Sequence, residues 1–292
     1  MKYRFMQQHE NEFSLKRMSI VFKVSRSGYY QFIKVGLSDR TKENMRLLEK
    51  IKVIHEQSRQ TYGSPRIHAE LLSQGETYSR QRIARLMQQD GLQAKMRKRY
   101  KLTTQANPKA KAAPNLLQQD LTAEKPNERW VTDITYIATA EGWLYVAAVL
   151  DLFSRRIVGL AMSERMTVVL VLNALNQAVI HREPSEGLIH HSDKGSQYTS
   201  KEFQKQLALY CMIVSMSGAG NCFDNAAMES FFHTLKTEHV YFENYMTREQ
   251  AKRSIFEYVE VFYNRKRLHS TLGYCSPMAF EQKWNQQQEI SF

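Results

Sequence analysis

Cysteine is scarce in this chain, with three in 292 residues: Cys211, Cys222 and Cys275. The count is odd and the spacing fits no metal motif. That excludes a disulfide-stapled secreted scaffold and points to free thiols in a reducing compartment. No Cys-x-x-Cys pair occurs. Long apolar runs are also missing. The most apolar stretch, residues 168–180, is too short to span a bilayer and is interrupted by Asn173, Asn176 and Gln177. The first residues lack an apolar core segment, so no secretory signal is expected. Acid is in short supply at the front: residues 1–120 hold 24 Lys and Arg against 10 Asp and Glu, whereas residues 121–292 hold 17 against 19. The front of the chain therefore carries the whole net charge of +12. A basic segment of that length implies a polyanionic partner, most often nucleic acid, over a merely solvated surface.

The periodicity of what is present divides the chain. Residues 15–24 read as an apolar, helix-like run, followed by Ser25-Arg-Ser-Gly28-Tyr-Tyr30, where Gly28 suits a turn between helical pieces. A second helical group spans about residues 41–93. Ser64-Pro65 is a helix start with serine as cap. Ile67, Leu71 and Leu72 recur at helical spacing until Gly75. Ser79 caps the next helix, whose Ile83, Leu86 and Met87 face one way and whose Arg80, Arg82 and Arg85 lie on other faces, up to Gly91. Two short helices joined by a turn, the second rich in arginine, form a helix-turn-helix pattern. Arg97, Lys98 and Arg99 follow as a basic run. From residue 103 to 126 the Asn, Ala, Lys, Gln and Pro content reads as a linker.

Strand patterns then begin. Residues 130–137 alternate. Residues 143–150 are almost continuously apolar, as in a strand covered on both faces. Residues 157–162 make a third strand, 167–182 a buried helix, 188–190 a fourth strand, 200–210 a helix, 212–216 a fifth strand, and a long helix starts near Asn225. The order βββαβαβ suits an α/β layer fold with a mixed five-stranded sheet. The domain division expected is 1–38 (helical segment), 39–102 (helix-turn-helix-like), 103–126 (linker), 127–245 (catalytic core) and 246–292 (helical extension).

Three carboxylates stand out. Asp133 sits mid-strand among Val131, Ile134 and Ile137, which is costly without compensation. Asp193 follows an apolar strand and opens onto a turn. Glu229 shares a helix line with His233 and Lys236 beside the apolar stripe Met228, Phe231, Phe232 and Leu235. Asp151 and Asp224 are less suited: Arg155 and Arg156 beside Asp151 suggest an ion pair, and Asp224 with Asn225 suits helix capping. His190 and His191 are expected to be packed rather than ligating. His233 is a candidate substrate contact.

The acids, with 35 residues between Asp193 and Glu229, and five phrases in order carry a resemblance. The phrases are Trp130-Val-Thr-Asp-Ile-Thr-Tyr136, Val149-Leu-Asp-Leu-Phe-Ser-Arg155, His191-Ser-Asp-Lys-Gly-Ser-Gln-Tyr-Thr-Ser200, Asp224-Asn-Ala-Ala-Met-Glu-Ser-Phe-Phe232 and Tyr263-Asn-Arg-Lys-Arg-Leu-His269 with Ser276-Pro277. The chain resembles the DDE transposases of bacterial insertion sequences, second-frame (OrfB) type. The resemblance implies an RNase H-like, retroviral-integrase-like core in which Asp133, Asp193 and Glu229 hold two Mg²⁺ ions, with Mn²⁺ a possible substitute. Like charges at ~4 Å and an effective dielectric of ~20 cost about 4 kcal/mol per pair, a conflict that cations remove. The implied function is metal-dependent cleavage at the element ends, then strand transfer by the freed 3′-hydroxyl. The alternatives are a non-catalytic DNA-binding regulator and an RNase H-type nuclease. Lys236 is implied as a phosphate contact. Arg265, Lys266 and Arg267, after an amphipathic helix at residues 255–262, are further DNA contacts in this reading. The implied partners are duplex DNA at the element ends and target, further copies of the chain, and the first-frame (OrfA) product or fusion, with no membrane. The implied location is the bacterial cytoplasm, at the nucleoid. The family's first frame supplies a leucine zipper, and no sustained heptads occur here.

Overall fold

The computed structural model describes residues 1–35, 38–95, 113–217 and 225–290. The chain forms two compact units, residues Met1–Gln93 and Ala94–Phe292.

The first unit is helical. It holds α1 (Lys2–Gln8), α2 (Leu15–Val21), α3 (Arg26–Val35), α4 (Asp39–Gln57), α5 (Ser64–Ser73) and α6 (Arg80–Gln89). Leu47, Ile51, Ile54, Ile67, Leu71, Ile83, Leu86 and Met87 form the buried faces of α4, α5 and α6, as their helical spacing requires. Ser79 caps α6 by accepting the N–H of Arg82. Two expectations need correcting. Ser64 is the first residue of α5 and Gly63 its cap, with no side-chain capping bond. Gly28 lies inside α3, and the turn before that helix is made by residues 22–25.

The second unit is built on a five-stranded mixed sheet of order β3-β2-β1-β4-β5. Its strands are β1 (Arg129–Thr139), β2 (Gly142–Asp151), β3 (Ile157–Ser163), β4 (Ile189–Ser192) and β5 (Ile213–Met216). β1, β2 and β3 form an antiparallel meander, whereas β4 runs parallel to β1 and β5 parallel to β4. Leu144 and Val146 to Leu150 of β2 are all buried, which explains their lack of polar alternation. Two helices, α7 (Val168–Arg182) and α8 (Lys201–Leu209), cover one face. Trp130, Val149, Val158, Leu170, Leu175, Phe203 and Leu207 interlock there. Gly159 is required by this packing, because a Cβ on it would lie 2.1 Å from the Ala174 carbonyl oxygen of α7.

After the sheet come α9 (Ala226–Glu238), α10 (Arg248–Glu257) and α11 (Pro277–Ile290). The helix expected at residues 255–262 is α10 continuing into a π-helical turn, Tyr258–Tyr263. Asn264, fully buried, clasps β3 by accepting the N–H of Ile157 and donating to its carbonyl. Glu281 of α11 accepts from Ser154, Arg156 and Arg182, anchoring that helix to the core. Residues 113–126, the described part of the expected linker, include a packed stretch. Pro114 accepts the N–H of Met216, Leu116 donates to Ser215, and Leu117 is buried.

Candidate active site

The parallel pairing of β1 with β4 sets Val131 opposite His191. Asp133 and Asp193 each follow two residues later, so the register sets Asp133, in the middle of β1, level with Asp193, just past the end of β4. Trp130 and Ile134 belong to the core beneath α7 and α8. By strand alternation Asp133 points to the opposite face, where α9 crosses β1. Asn225, at the start of α9, donates from Nδ2 to the Thr132 carbonyl at 3.4 Å. That bond fastens the helix carrying Glu229 to the residue before Asp133.

All three carboxyls are raised, with burial the first cause in each. Burial is the first cause that pushes the Asp133 carboxyl from 3.8 up to about 7; the charges of Asp193 and Glu229 push the same way. The N–H of Ile134, 2.8 Å from Oδ1, and the Lys236 ammonium oppose the rise. Asp193 is raised by burial against the N–H of Gly195, which donates to its Oδ1 at 2.8 Å. Glu229, in the first turn of α9, is raised by desolvation. Among the described residues no three His, Cys, Asp or Glu side chains come together closely enough to hold a metal ion. Asp133 and Asp193 lie on adjacent strand segments by register, and Glu229 is exposed on α9.

Lys236 faces this site. Its ammonium lies 5.1 Å from the centroid of the Tyr136 ring. Burial pushes its pKa down while the Asp133 charge pushes it up. His233, one turn before it, is exposed.

Sequence reasoning missed Tyr198. It is buried beneath the acid pair, its hydroxyl 3.3 Å from Thr132 Oγ1. Thr132 already donates to the Ala148 carbonyl, so Tyr198 is the donor to Thr132. Burial, then the charges of Asp133 and Asp193, hold the phenol well above its ordinary pKa. A neutral donor is thereby fixed under two carboxylates. Its place three residues after Gly195 was the available signal.

The other sequence candidates separate. Arg80 and Arg85 are exposed on α6. Arg82 is engaged within its unit: it donates to Glu43 at 2.7 Å and Asn44 at 2.9 Å and lies over Tyr78. Arg265 and Lys266 are exposed. Arg267 is the correction: 5% exposed, it donates to both oxygens of Glu238 at 2.7 and 2.6 Å and offers no free face to a phosphate. The Arg97, Lys98 and Arg99 run and Asp224 lie outside the described residues. Asp151 is structural as expected, but its partners are Arg182 and the N–H groups of Asn127 and Phe153. Arg156 pairs with Glu281 instead, and Arg155 donates to the Leu121 carbonyl. His190 packs against Phe203 and is pushed down to about 3 by burial, and so stays neutral. His191 bonds Ser215 and Ser217.

A cavity of about 870 Å³ lies at the β3 edge of the sheet between β3, α7 and α10 and contains none of the three acids. Asp133 and Asp193 are half-buried, outside that cavity. No helix among the described residues is long and apolar enough to cross a membrane.

Comparison with known proteins adds family matches. Residues 123–222 and 229–284 match families described as Integrase core domain, and residues 42–100 match one described as HTH-like domain. The chain is 45% identical over 269 residues to the insertion element IS600 uncharacterized 31 kDa protein of Shigella sonnei, covering 92% of this chain and 99% of that one. It is 40% identical over 285 residues to transposase InsF for insertion sequence IS3A of Escherichia coli K12, covering 97% of this chain and 99% of that one. Among solved structures, a simian T-cell lymphotropic virus intasome bound to PP2A regulatory subunit B56 gamma aligns with 14% identity and a TM-score of 0.47, over 80% of this chain and 74% of that chain.

Proposed function

The chain belongs to the IS3-type family of insertion-sequence transposases, and on that premise we propose that Asp133, Asp193 and Glu229 are the metal-binding acids of its DNA-cleaving and strand-transferring site. The family's activity class is polynucleotidyl transfer on DNA. The observation that carries the residue assignment is geometric: the parallel β1–β4 register sets Asp133 and Asp193 level with each other, and α9, which carries Glu229, crosses β1 with Asn225 bonded to the Thr132 carbonyl.

The donor set fits hard divalent cations. It offers carboxylate oxygens alone, and its mutual repulsion is the conflict a bound cation relieves. When bound, two Mg²⁺ ions held by Asp133, Asp193 and Glu229 would acidify the attacking hydroxyl and stabilise the leaving oxygen. The chain's own groups do the rest. Asn225 and Gly195 fix the carriers of Glu229 and Asp193. Lys236 holds a phosphate oxygen of the DNA strand near the acids. In the first step water oxygen attacks phosphorus at the element end and the P–O3′ bond breaks, freeing a 3′-hydroxyl. In the second, that hydroxyl attacks a target phosphate, one P–O bond forming as another breaks. No covalent bond to the protein is needed.

In this reading the partners are duplex DNA at the element ends and target, further copies of this chain, and the first-frame product or fusion. The place of action is the cytoplasm at the nucleoid. Arg80, Arg85, Arg265 and Lys266 are the exposed basic residues that meet phosphates.

The test is strand cleavage of labelled element-end DNA with Mg²⁺ by wild type, Asp193→Asn and Glu229→Gln. Wild type is expected to cut, with both variants reduced by two or more orders of magnitude. Wild-type rates in both variants would exclude the assignment.

A further inference from the structure

The Ser25-Arg-Ser-Gly-Tyr-Tyr30 phrase is not used by the reading above, and the matched HTH-like segment begins only at residue 42. We infer that α2, residues 22–25 and α3 form a second DNA-reading helix-turn-helix, with α3 the helix that enters the major groove of the element-end duplex. The inference rests on the transposase reading only for the choice of DNA.

The architecture comes first. α2 and α3 are separated by four residues, the turn length of this motif. Lys23 takes a left-handed backbone conformation with φ 51°, and the Val24 N–H returns to the Ser19 carbonyl at 3.0 Å. Ser25 Oγ accepts the N–H of Gly28, closing the first turn of α3. Each of three helices places one side chain in a common core: Met6 from α1, Met18 from α2 and Tyr29 from α3. Lys2 of α1 donates to the Phe22 carbonyl at 2.8 Å, and the Tyr3 ring lies 5.7 Å from that of Phe32. Gly28 allows that approach, since a Cβ there would meet the Tyr3 hydroxyl at 2.3 Å. Tyr29 also donates to Glu10 at 2.8 Å, fixing the rotation of α3 about its axis.

That rotation decides what α3 presents. Arg26, Ser27, Tyr30, Gln31 and Lys34 are all exposed. They fall at i, i+1, i+4, i+5 and i+8, one continuous stripe opposite Tyr29 and Phe32. The stripe carries the groups that read base edges: an arginine fork matching guanine, a glutamine amide matching adenine, a small hydroxyl, and a lysine for phosphate. None of the five is acidic. Residues 1–35 contain seven Lys and Arg against two Glu. Both glutamates are engaged elsewhere, Glu10 by Tyr29 and Glu12 by His9. Charge and donor chemistry therefore both select a nucleic acid duplex as the occupant of this face.

The test uses the full chain without Mg²⁺, so that binding is read apart from catalysis. Fluorescence anisotropy is measured on a labelled element-end duplex and on a scrambled duplex of equal composition. Arg26→Ala and Gln31→Ala are each expected to weaken end-duplex binding by about 5- to 150-fold and to narrow the preference over the scrambled duplex. Lys34→Ala should weaken both duplexes alike and lower the salt slope by about 1, and Lys34→Arg should restore it. Melting curves matching wild type confirm folding of these surface variants. Unchanged affinity in Arg26→Ala and Gln31→Ala overturns the inference. So does an equal loss on both duplexes, which would leave only phosphate contact, and so does a wild type that binds neither. Asp193→Asn should bind as wild type here, so a failure of the catalytic assignment reads out separately.

Discussion

Arg267 and Glu238 form a buried pair in which the guanidinium donates Nε to Oε2 and Nη2 to Oε1, both partners about as hidden from water as core leucines. The Tyr258 hydroxyl donates to the same carboxylate at 3.1 Å. Two charges so enclosed hold each other in place, and removing one strands the other. Arg267→Ala should therefore lower stability by about 3–5 kcal/mol. Urea unfolding would show a lower midpoint at unchanged slope. Arg265→Ala, two residues away on the surface, should shift stability by less than about 0.5 kcal/mol while weakening DNA binding. The opposite pattern would return Arg267 to the DNA-facing set.

Asp133 makes the metal-free protein pH-sensitive in a defined direction. Its folded pKa of about 7 lies above its ordinary 3.8, so the folded state binds the proton more tightly. That contribution to stability is complete below about pH 4 and is lost as pH rises through about 7. Asp133→Asn has no such proton to lose. In EDTA the variant should melt above wild type at pH 8, by roughly 1–3 kcal/mol after allowing for the solvent opening at the site. The two should converge at pH 5. Mg²⁺ should raise the wild-type melting temperature and leave that of Asp133→Asn unmoved. A variant less stable than wild type in EDTA at pH 8 would contradict the charge conflict.

Legibility from sequence followed periodicity and local chemistry. All five strands were readable because β2 is apolar throughout and β1 alternates, patterns that two covered faces and one half-polar face impose. The placement of Asp133 within β1 and of Asp193 just past β4 was readable because a carboxylate in or beside an apolar strand demands a reason. Three things were hidden. Arg267 has the same side chain as exposed Arg265, and only the distant Glu238 decides that it turns inward. Asn264 completes the edge of β3 from about a hundred residues away, a pairing with no local trace. Gly28 was misread because glycine suits a turn and a close helix approach equally well. The approach is set by Tyr3, on another helix.

Gly159 is held to zero side-chain volume by a backbone atom, which makes its substitution diagnostic. Gly159→Ala would set its Cβ 2.1 Å from the Ala174 carbonyl oxygen and 3.0 Å from the Ala178 Cβ. α7 must then lift from β3, at a cost of about 1–3 kcal/mol or more. The melting temperature should fall while cleavage per folded molecule is retained, since β3 is the strand at the edge of the sheet remote from β4. Adding Ala178→Gly should not rescue it, because the tighter contact is with backbone. Full rescue would show that the side-chain contact governs instead.

Arg182 joins three elements, and its removal should expose a second pH dependence. The guanidinium donates to Asn127 Oδ1 at 2.9 Å, to both oxygens of Glu281 at 2.9 and 2.8 Å, and to Asp151 Oδ2 at 3.4 Å. Burial pushes Asp151 up to about 6 even so, while at Glu281 burial is outweighed by Arg182, Ser154 and Arg156 and the pKa is lowered. The lowered group stabilises the fold above its unfolded pKa, and that contribution disappears as pH falls through the folded value. Arg182→Ala leaves both carboxylates buried without their shared guanidinium. Their pKa values rise, so the variant folds best protonated. At neutral pH its deficit should be about 3–5 kcal/mol, that of a broken buried pair. Between about pH 7 and pH 5 the deficit should shrink, because protons replace the missing guanidinium. Urea unfolding of wild type and variant across that range measures the gap directly. A gap that stays constant or widens in acid would mean that Arg182 acts through packing of its methylenes on α7, and that the ion network contributes nothing to anchoring α11.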